Sequence, residues 1–559
     1  MNVGLTLLFV SVCLCLCLCV CVSVCLCVCQ IIGKRGTMQD MLSIGWAGRD
    51  AIVGTGDGHL YRFSGAELVH AYDAHAAAVN SVFSDSHGVV SAAADGTVKL
   101  WSTTMELQRE FDLSKLGSSL KPEIRSLHWA STQQKLLLGT DASEIYELSS
   151  VTGTDINKGP LVSSHYVGEL WGLDTHPTRP EYATCGDDAT VRVWDLPLRQ
   201  VKSTRQLECS ARSICYTPDG MKLAVGLGGR LISRQARNRK DGGFLILDCR
   251  DLSTVHEGRD CKEWVTDIRF TPDGNTMALA SADSKIYLYD VGNAYMVKGI
   301  FEQHNSFITH LDFSADSQFM QSNCGAYELL FCDATNGAYI PQFQKLKNTE
   351  WETFTCTLGW PVQGVWSKYN DGTEVLAAAR SHNQRILAAS DNFGRVRLLR
   401  YPCVSADATD KTFRAHGSEV RKVRWTSGDT HLLSIGGKDR CVFQWRLRRE
   451  DEETAAAAGD SGEDSDLDVL NMEEEEEEEV EFMTVKPWLS VIVAPTGAPK
   501  GNPSKPGSRL LLDWVHGYRA QDVRGNLRYN MSGSLVYVPA GVGVRCGCDG
   551  ELTTVWVSL

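Results

Sequence analysis

A repeat of about 45 residues runs from Met38 to Arg448 and constrains the fold more than any other feature of the chain. Each copy alternates short apolar runs with turn sequences such as TPDG and SADS. This pattern is typical of short antiparallel strands joined by tight connections. A period of this length, with four strands in each copy, predicts an all-β fold built from the blades of a WD40 β-propeller.

Five of the copies carry a second regularity near their closing end, an Asp six residues before an aromatic residue. We expect the Asp to accept hydrogen bonds across a turn while the aromatic ring packs between neighbouring sheets, so that each blade has its own clamp. The histidines at the start of three copies complete the His, Ser/Thr, Asp and Trp network of WD blades. The clamp residues are Asp57 with Phe63; His75, Asp95 and Trp101; His165, Asp188 and Trp194; Asp283 and Tyr289; and His416, Asp439 and Trp445.

Two of these groups have the composition of a hydrolase triad: His75 with Ser91 and Asp95, and His165 with Thr184 and Asp188. The same constellation recurs from blade to blade, whereas an active site is usually singular. The chain also has no GxxxxGK[ST], HExxH or GxSxG motif, so phosphate-loop, metalloprotease and esterase chemistry find no support. We therefore expect no enzymatic activity, no cofactor and no metal site.

The net charge of −14 is concentrated in one segment. Residues 450–481 hold 17 acidic side chains and no Lys or Arg, while the rest of the chain has 55 basic and 52 acidic residues. The remainder is nearly neutral, which argues against nucleic acid as a partner. The acidic run cannot bury enough apolar surface to fold, and we expect a disordered linker; the alternative is a charged tail that recruits a basic partner.

Cysteine usage also divides by position. Eight of the 20 cysteines alternate with Leu or Val between Val12 and Cys29. A translated dinucleotide repeat would give this alternation, so residues 1–36 are interpreted as a gene-model artefact, with a hydrophobic membrane anchor as the alternative. The other twelve are scattered without regular pairing distances, as expected for the reduced, buried thiols of a cytosolic protein.

The segment Pro506 to Val544, PGSRLLLDWVHGYRAQDVRGNLRYNMSGSLVYVPAGVGV, is too distinctive to be a propeller turn. It resembles the HELP motif of the echinoderm microtubule-associated protein-like (EML) family. The stretch Trp351 to Cys403 resembles the same family, and the resemblance spans about residues 40 to 544. It implies an architectural role for the motif residues, which are Asp513, Trp514, Val515, His516, Gly517, Tyr518, Arg519, Asn526 and Leu527.

The resemblance also implies a domain organisation, because the family pairs a HELP-bearing seven-bladed propeller with an eight-bladed one. Nine copies of the repeat can be counted here, eight of them from His75 to Arg446. We therefore expect residues 74–448 to form one closed eight-bladed propeller and residues 38–70 to be the last blade of a preceding one. The HELP region, residues 482–544, would then start a further unit, as in the long family members, and residues 545–559 depart from the family.

The function that the resemblance implies is a non-enzymatic scaffold that binds tubulin in the cytoplasm and cytoskeleton, with neither membrane nor nucleic acid as partner. The alternative is a generic WD40 adaptor for other proteins, since fold does not fix function. One insertion departs from the family and places Arg230, Arg234, Arg237, Arg239 and Lys240 in a short connection. This basic loop would contact acidic tubulin tails through charge attraction, unless it is retained intron sequence. The complete gene product is expected to co-sediment with microtubules, and this fragment to bind weakly or not at all.

Overall fold

The computed structural model describes residues 40–116, 121–231, 242–366, 374–449, 487–546 and 552–555. The segments 1–36 and 450–481, most of the tail 545–559, and the loop residues Arg234, Arg237, Arg239 and Lys240 lie outside the described residues. Arg230 belongs to a strand, but its side chain is not described. The chain divides into two compact units. The first unit contains the described residues up to Tyr166, Gly517–Pro539 and the described residues from Gly543; the second contains Val167–His516 and Ala540–Val542.

The described part of the first unit contains four antiparallel sheets that form a series: the first strand of the first sheet (Met41–Ala47) packs on that of the second (Ser81–Asp85), the second on the third (Ile124–Ala130), and the third on the last (Leu527–Tyr529). Short 3-10 helices lie at Leu113–Leu116 and Ser131–Gln133. The sheets are β1 (Met41–Ala47), β2 (Asp50–Thr55), β3 (His59–Ser64) and β4 (Glu67–Asp73); β5 (Ser81–Asp85), β6 (Gly88–Ala92), β7 (Thr97–Trp101) and β8 (Leu107–Asp112); β9 (Ile124–Ala130), β10 (Lys135–Thr140) and β11 (Ile145–Ser149); and the late-chain sheet of β35 (Leu527–Tyr529), β36 (Leu535–Tyr537), β37 (Gly543–Cys546) and β38 (Leu552–Val555).

The described part of the second unit contains six antiparallel sheets. Its 3-10 helices are Phe343–Leu346, Trp360–Val365 and Pro487–Val491. The sheets are β12 (Leu170–Thr175), β13 (Glu181–Gly186), β14 (Thr190–Asp195) and β15 (Gln200–Gln206); β16 (Cys209–Tyr216), β17 (Lys222–Leu231), β18 (Gly243–Asp248) and β19 (Thr254–Arg259); β20 (Val265–Phe270), β21 (Thr276–Ser281), β22 (Ile286–Asp290) and β23 (Met296–Phe301); β24 (Ile308–Phe313), β25 (Phe319–Cys324) and β26 (Leu329–Asp333); β27 (Val375–Arg380), β28 (Ile386–Asp391), β29 (Arg395–Arg400) and β30 (Lys411–Arg414); and β31 (Val420–Trp425), β32 (His431–Gly436), β33 (Val442–Arg449) and β34 (Ser508–His516).

Burial explains why the strands of one blade read differently in the sequence. The second strand β13 is buried along its whole length, and the third, β14, at all but its last residue, whereas the outermost strand β15 alternates exposed and half-buried residues. Tight turns separate the strands. In the TPDG turn the Thr217 hydroxyl donates to Asp219, and Gly220 adopts φ +68°, which favours glycine. Apolar inner strands and polar outer strands therefore produce the repeat.

The inner strands of the second unit form a ring. Strand β12 packs on β16, β16 on β20 and β20 on β24, while β27 packs on β31 and β31 on β12. The segment after Trp351 fills the remaining position. The Asp312 carboxylate of β24 accepts the backbone N–H groups of Thr355 and Cys356 at 2.8 Å, and Arg380 N–H of β27 donates to the Phe354 carbonyl at 3.2 Å. The sequence from Trp351, set apart above by its family resemblance, thus completes the ring.

The predicted domain boundaries are wrong in three respects. Residues 74–448 are not one eight-bladed propeller, because the boundary between the units falls at Tyr166/Val167 and the sheets of β5–β8 and β9–β11 belong to the first unit. The sheet in residues 38–70 is not an isolated blade, since its strand β1 packs on β5. The HELP region does not start a further unit, because its strand β34 pairs with β33 of the second unit. Repeat spacing identifies blades but carries no information on which blades close a ring.

Two further expectations concern cysteines and membranes. The eleven described cysteines are all free thiols, ten of them buried, as predicted for the scattered set. Burial raises the pKa of such thiols; the pKa of Cys403, for example, is raised to about 12. Among the described residues, no helix has both the length and the apolar character needed to cross a membrane.

Candidate interaction sites

The blade clamp of β5–β8 is complete. His75 Nε2 lies 2.8 Å from Ser91 Oγ, and the Trp101 indole N–H donates to the same oxygen at 2.9 Å. The Asp95 carboxylate accepts from the backbone N–H of Ala76 and from the hydroxyl of Thr97. Burial, against the opposing charge of Asp95, lowers the pKa of His75 to about 4. The Ser91 hydroxyl joins the histidine ring to the indole, so the network links the turns of the blade to its packed aromatic side chain.

The clamp of β31–β34 has the same geometry. His416 Nε2 lies 2.8 Å from Ser434 Oγ, Trp445 Nε1 donates to that oxygen at 2.9 Å, and His416 Nδ1 lies 3.0 Å from Asp439. In β12–β15, the Trp194 indole donates to Thr184 Oγ1 at 2.8 Å, and both side chains are buried, as is His165. Asp57 and Phe63 differ: Phe63 is buried, and Asp57 accepts from the Thr55 hydroxyl.

In the predicted pair Asp283 and Tyr289, the Asp accepts the backbone N–H of Lys285 within its turn, and the Tyr289 ring is fully buried, 4.9 Å from the Phe244 ring. Tyr287, rather than Tyr289, donates to Asp283 at 2.9 Å, and the Tyr289 hydroxyl donates to Asp260 at 3.1 Å. A tyrosine hydroxyl extends beyond the position of an indole N–H, so it reaches a different acceptor. Asp283 also accepts the backbone N–H of Lys262, which lies just before the first strand of the sheet.

Sequence reasoning missed a clamp in β24–β26. His304 Nε2 lies 2.7 Å from Ser322 Oγ, and its Nδ1 lies 3.4 Å from Glu328, which replaces the usual Asp. The 18-residue spacing from His304 to Ser322 equals that from His416 to Ser434 and could have revealed it. His304, Cys324 and Glu328 also lie close enough together to hold a metal ion. Their ligand atoms are already occupied in the clamp, however, since Cys324 Sγ lies 3.2 Å from Glu328.

The first part of the HELP motif forms the fourth strand of the last sheet in the second unit, β34, and packs against the first sheet of that unit. His516 is buried and its ring lies 4.3 Å from that of Trp194. Asp513 lies 3.2 Å from Arg199, whose guanidinium also stacks over Trp514 at 5.0 Å. Val515 is fully buried. Strand β34 therefore seals the junction between the last and first sheets of the ring.

The second part of the motif, from Gly517, is built into the first unit. Tyr518 is buried and donates to Asn526 Oδ1 at 2.8 Å, and Asn526 Nδ2 donates to the Arg519 carbonyl at 2.7 Å. The Ser126 hydroxyl of β9 accepts the Gly525 N–H at 3.0 Å. Leu527 is fully buried. Two of these hydrogen bonds lie within the motif and one joins it to β9, so Tyr518, Asn526 and Leu527 occupy packing positions.

Three contacts of this second part were not anticipated from the sequence. The Tyr529 hydroxyl donates to Glu147 of β11, and its ring lies 5.7 Å from that of His128. The Arg528 guanidinium lies 5.9 Å from the Phe83 ring. These partners are about 400 residues away along the chain, beyond the reach of local pattern reasoning.

One end of the second unit carries exposed aromatic side chains, here termed the aromatic rim. Antiparallel connectivity places the starts of the inner strands and the turns between second and third strands at the same edge. The aromatic rim consists of the exposed Trp264, Phe307, Tyr327 and Phe393 and of the half-buried Trp171. Phe307 is 50% and Phe393 59% exposed. Arg212 and Arg421 stack on opposite sides of Trp171, at 4.1 and 4.3 Å from its ring. Exposed aromatic rings with stacked arginines are typical of protein-binding surfaces.

Comparison with known families matches three parts of the chain. Residues 170–447 match the echinoderm microtubule-associated protein second beta-propeller, which coincides with the six-sheet second unit and not with the predicted 74–448. Residues 505–544 match the HELP motif, and residues 66–102 match the WD domain, G-beta repeat. The resemblance of the Pro506 to Val544 segment to the HELP motif and that of the Trp351 to Cys403 stretch to the same family are therefore both confirmed.

Curated relatives give the same result. The 77 kDa echinoderm microtubule-associated protein of Strongylocentrotus purpuratus is 35% identical over 421 residues, covering 73% of this chain and 57% of the relative. Echinoderm microtubule-associated protein-like 2 of Homo sapiens is 35% identical over 414 residues, covering 72% and 60%. Human echinoderm microtubule-associated protein-like 3 is 36% identical over 317 residues, covering 56% and 34%. The chain thus spans less than two thirds of the length of these relatives.

Proposed function

Because the chain belongs to the echinoderm microtubule-associated protein-like family, we propose that it is a microtubule-associated scaffold that binds tubulin. The observation that carries the proposal is the match of both the second propeller and the HELP motif to this family, whose members include relatives named as microtubule-associated proteins. The scaffold is proposed to act in the cytoplasm on the cytoskeleton, without catalysis. In support, the triad-like group around His75 is bonded into a blade clamp, and the same arrangement recurs at His416.

The aromatic rim is the surface that we propose for contact with tubulin. Interface hot spots are enriched in Trp, Tyr and Arg. The rim offers Trp264 beside the Arg212 guanidinium, 5.3 Å from its ring, and the half-exposed Phe307. The predicted basic loop, with Arg234 to Lys240, is a second proposed contact that would act through screened charge attraction.

The test is co-sedimentation of the purified chain with assembled microtubules. We expect pelleting that saturates with microtubule concentration and weakens at least tenfold in the double variant Trp264→Ser, Phe307→Ser. The matched control is Leu198→Ser, Met296→Ser, which removes two exposed apolar side chains away from the rim. Equal loss in both variants would refute the rim as the contact. No pelleting of the chain at any ionic strength, with binding of other cellular proteins instead, would favour the generic WD40 adaptor.

A further inference from the structure

The centre of the ring in the second unit contains a column of charged side chains on the inner strands. Residues two apart on a strand share a face, so β20 presents Asp267 and Arg269, and β31 presents Lys422 and Arg424. Lys422 Nζ donates to Asp267 at 2.7 Å. Burial alone would raise the pKa of Asp267, but Lys422, Arg269 and Arg424 hold it well below its usual value. Lys422 and Asp267 thus form an ion pair in one layer of the column.

The next layer borders a cavity of about 210 Å³ at the ends of the inner strands. Residues from all six inner strands and from the ring-completing segment line it. Among its described lining residues, three guanidinium groups stand against two carboxylates, those of Asp174 and Glu352. The volume exceeds the roughly 30 Å³ of one water and falls below the roughly 300 Å³ of pockets for drug-sized ligands. A small ligand with net negative charge fits this size and charge.

The arginines that line the cavity have unused donors. Arg269 and Arg424 are 8% and 7% exposed, and among the described residues Nε and Nη2 of Arg269 and Nε of Arg424 have no hydrogen-bond acceptor. Asp174 Oδ1 lies 3.9 Å from Arg269 Nη1 and 3.7 Å from Arg424 Nε, which are ion-pair distances too long for hydrogen bonds. The buried Tyr216 hydroxyl is also without a partner in this part of the chain.

Unsatisfied buried donors are costly, and each calls for a physical explanation. An oxyanion supplies several lone pairs at once and matches the planar fork of a guanidinium. Entry is available from the side of Glu352 and His382, since Glu352 is an exposed residue and the His382 side chain is 57% exposed. We propose that this cavity, termed the axial pocket, binds the phosphate or carboxylate group of a small anionic molecule through Arg269 and Arg424.

The experiment measures the thermal midpoint of the full chain against inorganic phosphate and, separately, acetate, each compared with sodium chloride at equal ionic strength. A ligand that binds only the folded state raises the midpoint in a saturable manner. We expect saturation with phosphate or acetate and not with chloride; the anion that saturates at lower concentration identifies which group the site takes. Identical curves for all three salts would overturn the proposal.

Variants link the effect to the axial pocket. Arg424→Gln should weaken the apparent affinity tenfold or more, because a charged hydrogen bond is lost. Asp174→Asn should increase the apparent affinity for the anion, because a repelling charge is removed while an acceptor for the Tyr216 N–H remains. A purely structural role of Asp174 would not produce this opposite sign. Arg250→Gln, which removes an exposed arginine paired with Asp248, should leave the affinity unchanged. If Arg424→Gln does not fold, Arg424→Lys, which keeps the charge but removes the planar fork of donors, should weaken affinity severalfold. Equal responses in the pocket variants and Arg250→Gln would refute the axial pocket.

Discussion

The two parts of the HELP motif follow each other directly in sequence, yet they are stabilised in different ways. Ser508–His516 is a single strand that extends a sheet of the second unit, and its stability depends on aromatic packing of His516 against Trp194. The part from Gly517 instead uses a close approach of Tyr518 to β10 and a hydrogen-bond cluster around Asn526 in the first unit. A motif that reads as one unit in sequence is thus divided between two structural roles.

The largest expected effect is on the first part. Trp194→Ala removes a fully buried indole, its hydrogen bond to Thr184 and the surface on which His516 packs. We expect a loss of about 3–5 kcal/mol in the free energy of unfolding of the second unit. Urea denaturation followed by tryptophan fluorescence measures it, with the exposed Trp46→Ala as control. Stability within 1 kcal/mol of the parent would contradict the packing argument.

The second part of the motif should be destabilised by added bulk at Gly139, on which Tyr518 packs closely. A Cβ at Gly139 would lie 2.3 Å from Tyr518 Oη, so Gly139→Ala should cost about 1–3 kcal/mol in the first unit. The matched control is Gly56→Ala, where the nearest atom lies at 3.4 Å. In a Tyr518→Ala background, the Gly139→Ala cost should largely disappear in a double-mutant cycle by thermal or urea denaturation. Additive costs would show that Tyr518 does not pack on Gly139.

The first part of the motif should also make the free energy of unfolding sensitive to acid, through His516. Burial, with Arg199 and Arg192, lowers the pKa of His516 to about 3, whereas an unfolded histidine titrates near 6.5. The unfolded state binds the proton first, so this contribution is intact above pH 6.5 and is lost as the pH falls towards 3. Relative to its own stability at pH 7, His516→Gln should lose about 2 kcal/mol less than the parent at pH 5. Parallel urea titrations at both pH values measure this; identical losses would place the titrating group elsewhere.

The smallest effect concerns Arg528, which is exposed and lies over the Phe83 ring. Arg528→Ala should cost about 0.5 kcal/mol and Arg528→Lys less, because a cation over an exposed ring contributes weakly. Thermal midpoints of the three proteins provide the comparison. A loss above 2 kcal/mol in Arg528→Ala would indicate that this side chain has a larger packing role than its exposure allows.

The sequence revealed features that are encoded locally. The WD40 fold and the clamps at His75 and His416 follow from spacings within one blade, and the HELP motif from a contiguous segment. The clamp at His304 was missed because Glu328 replaces Asp, which hides the spacing rule. The unit boundaries were missed because β33 pairs with β34 across residues 450–507, and a blade pattern does not specify so distant a partner.

The central claim is that the HELP motif completes a sheet of the second unit with its first part. Hydrogen exchange with mass spectrometry on peptides covering β33 and β34 tests it most directly. Strand β34 should be protected to the same degree as β33, with which it pairs from Val442/His516 to Arg449/Ser508. Trp194→Ala should raise the exchange of β34 more than that of Leu527–Tyr529, which belongs to the first unit. Exchange of Leu510–His516 at the rate of an unstructured peptide, while β33 stays protected, would contradict the account.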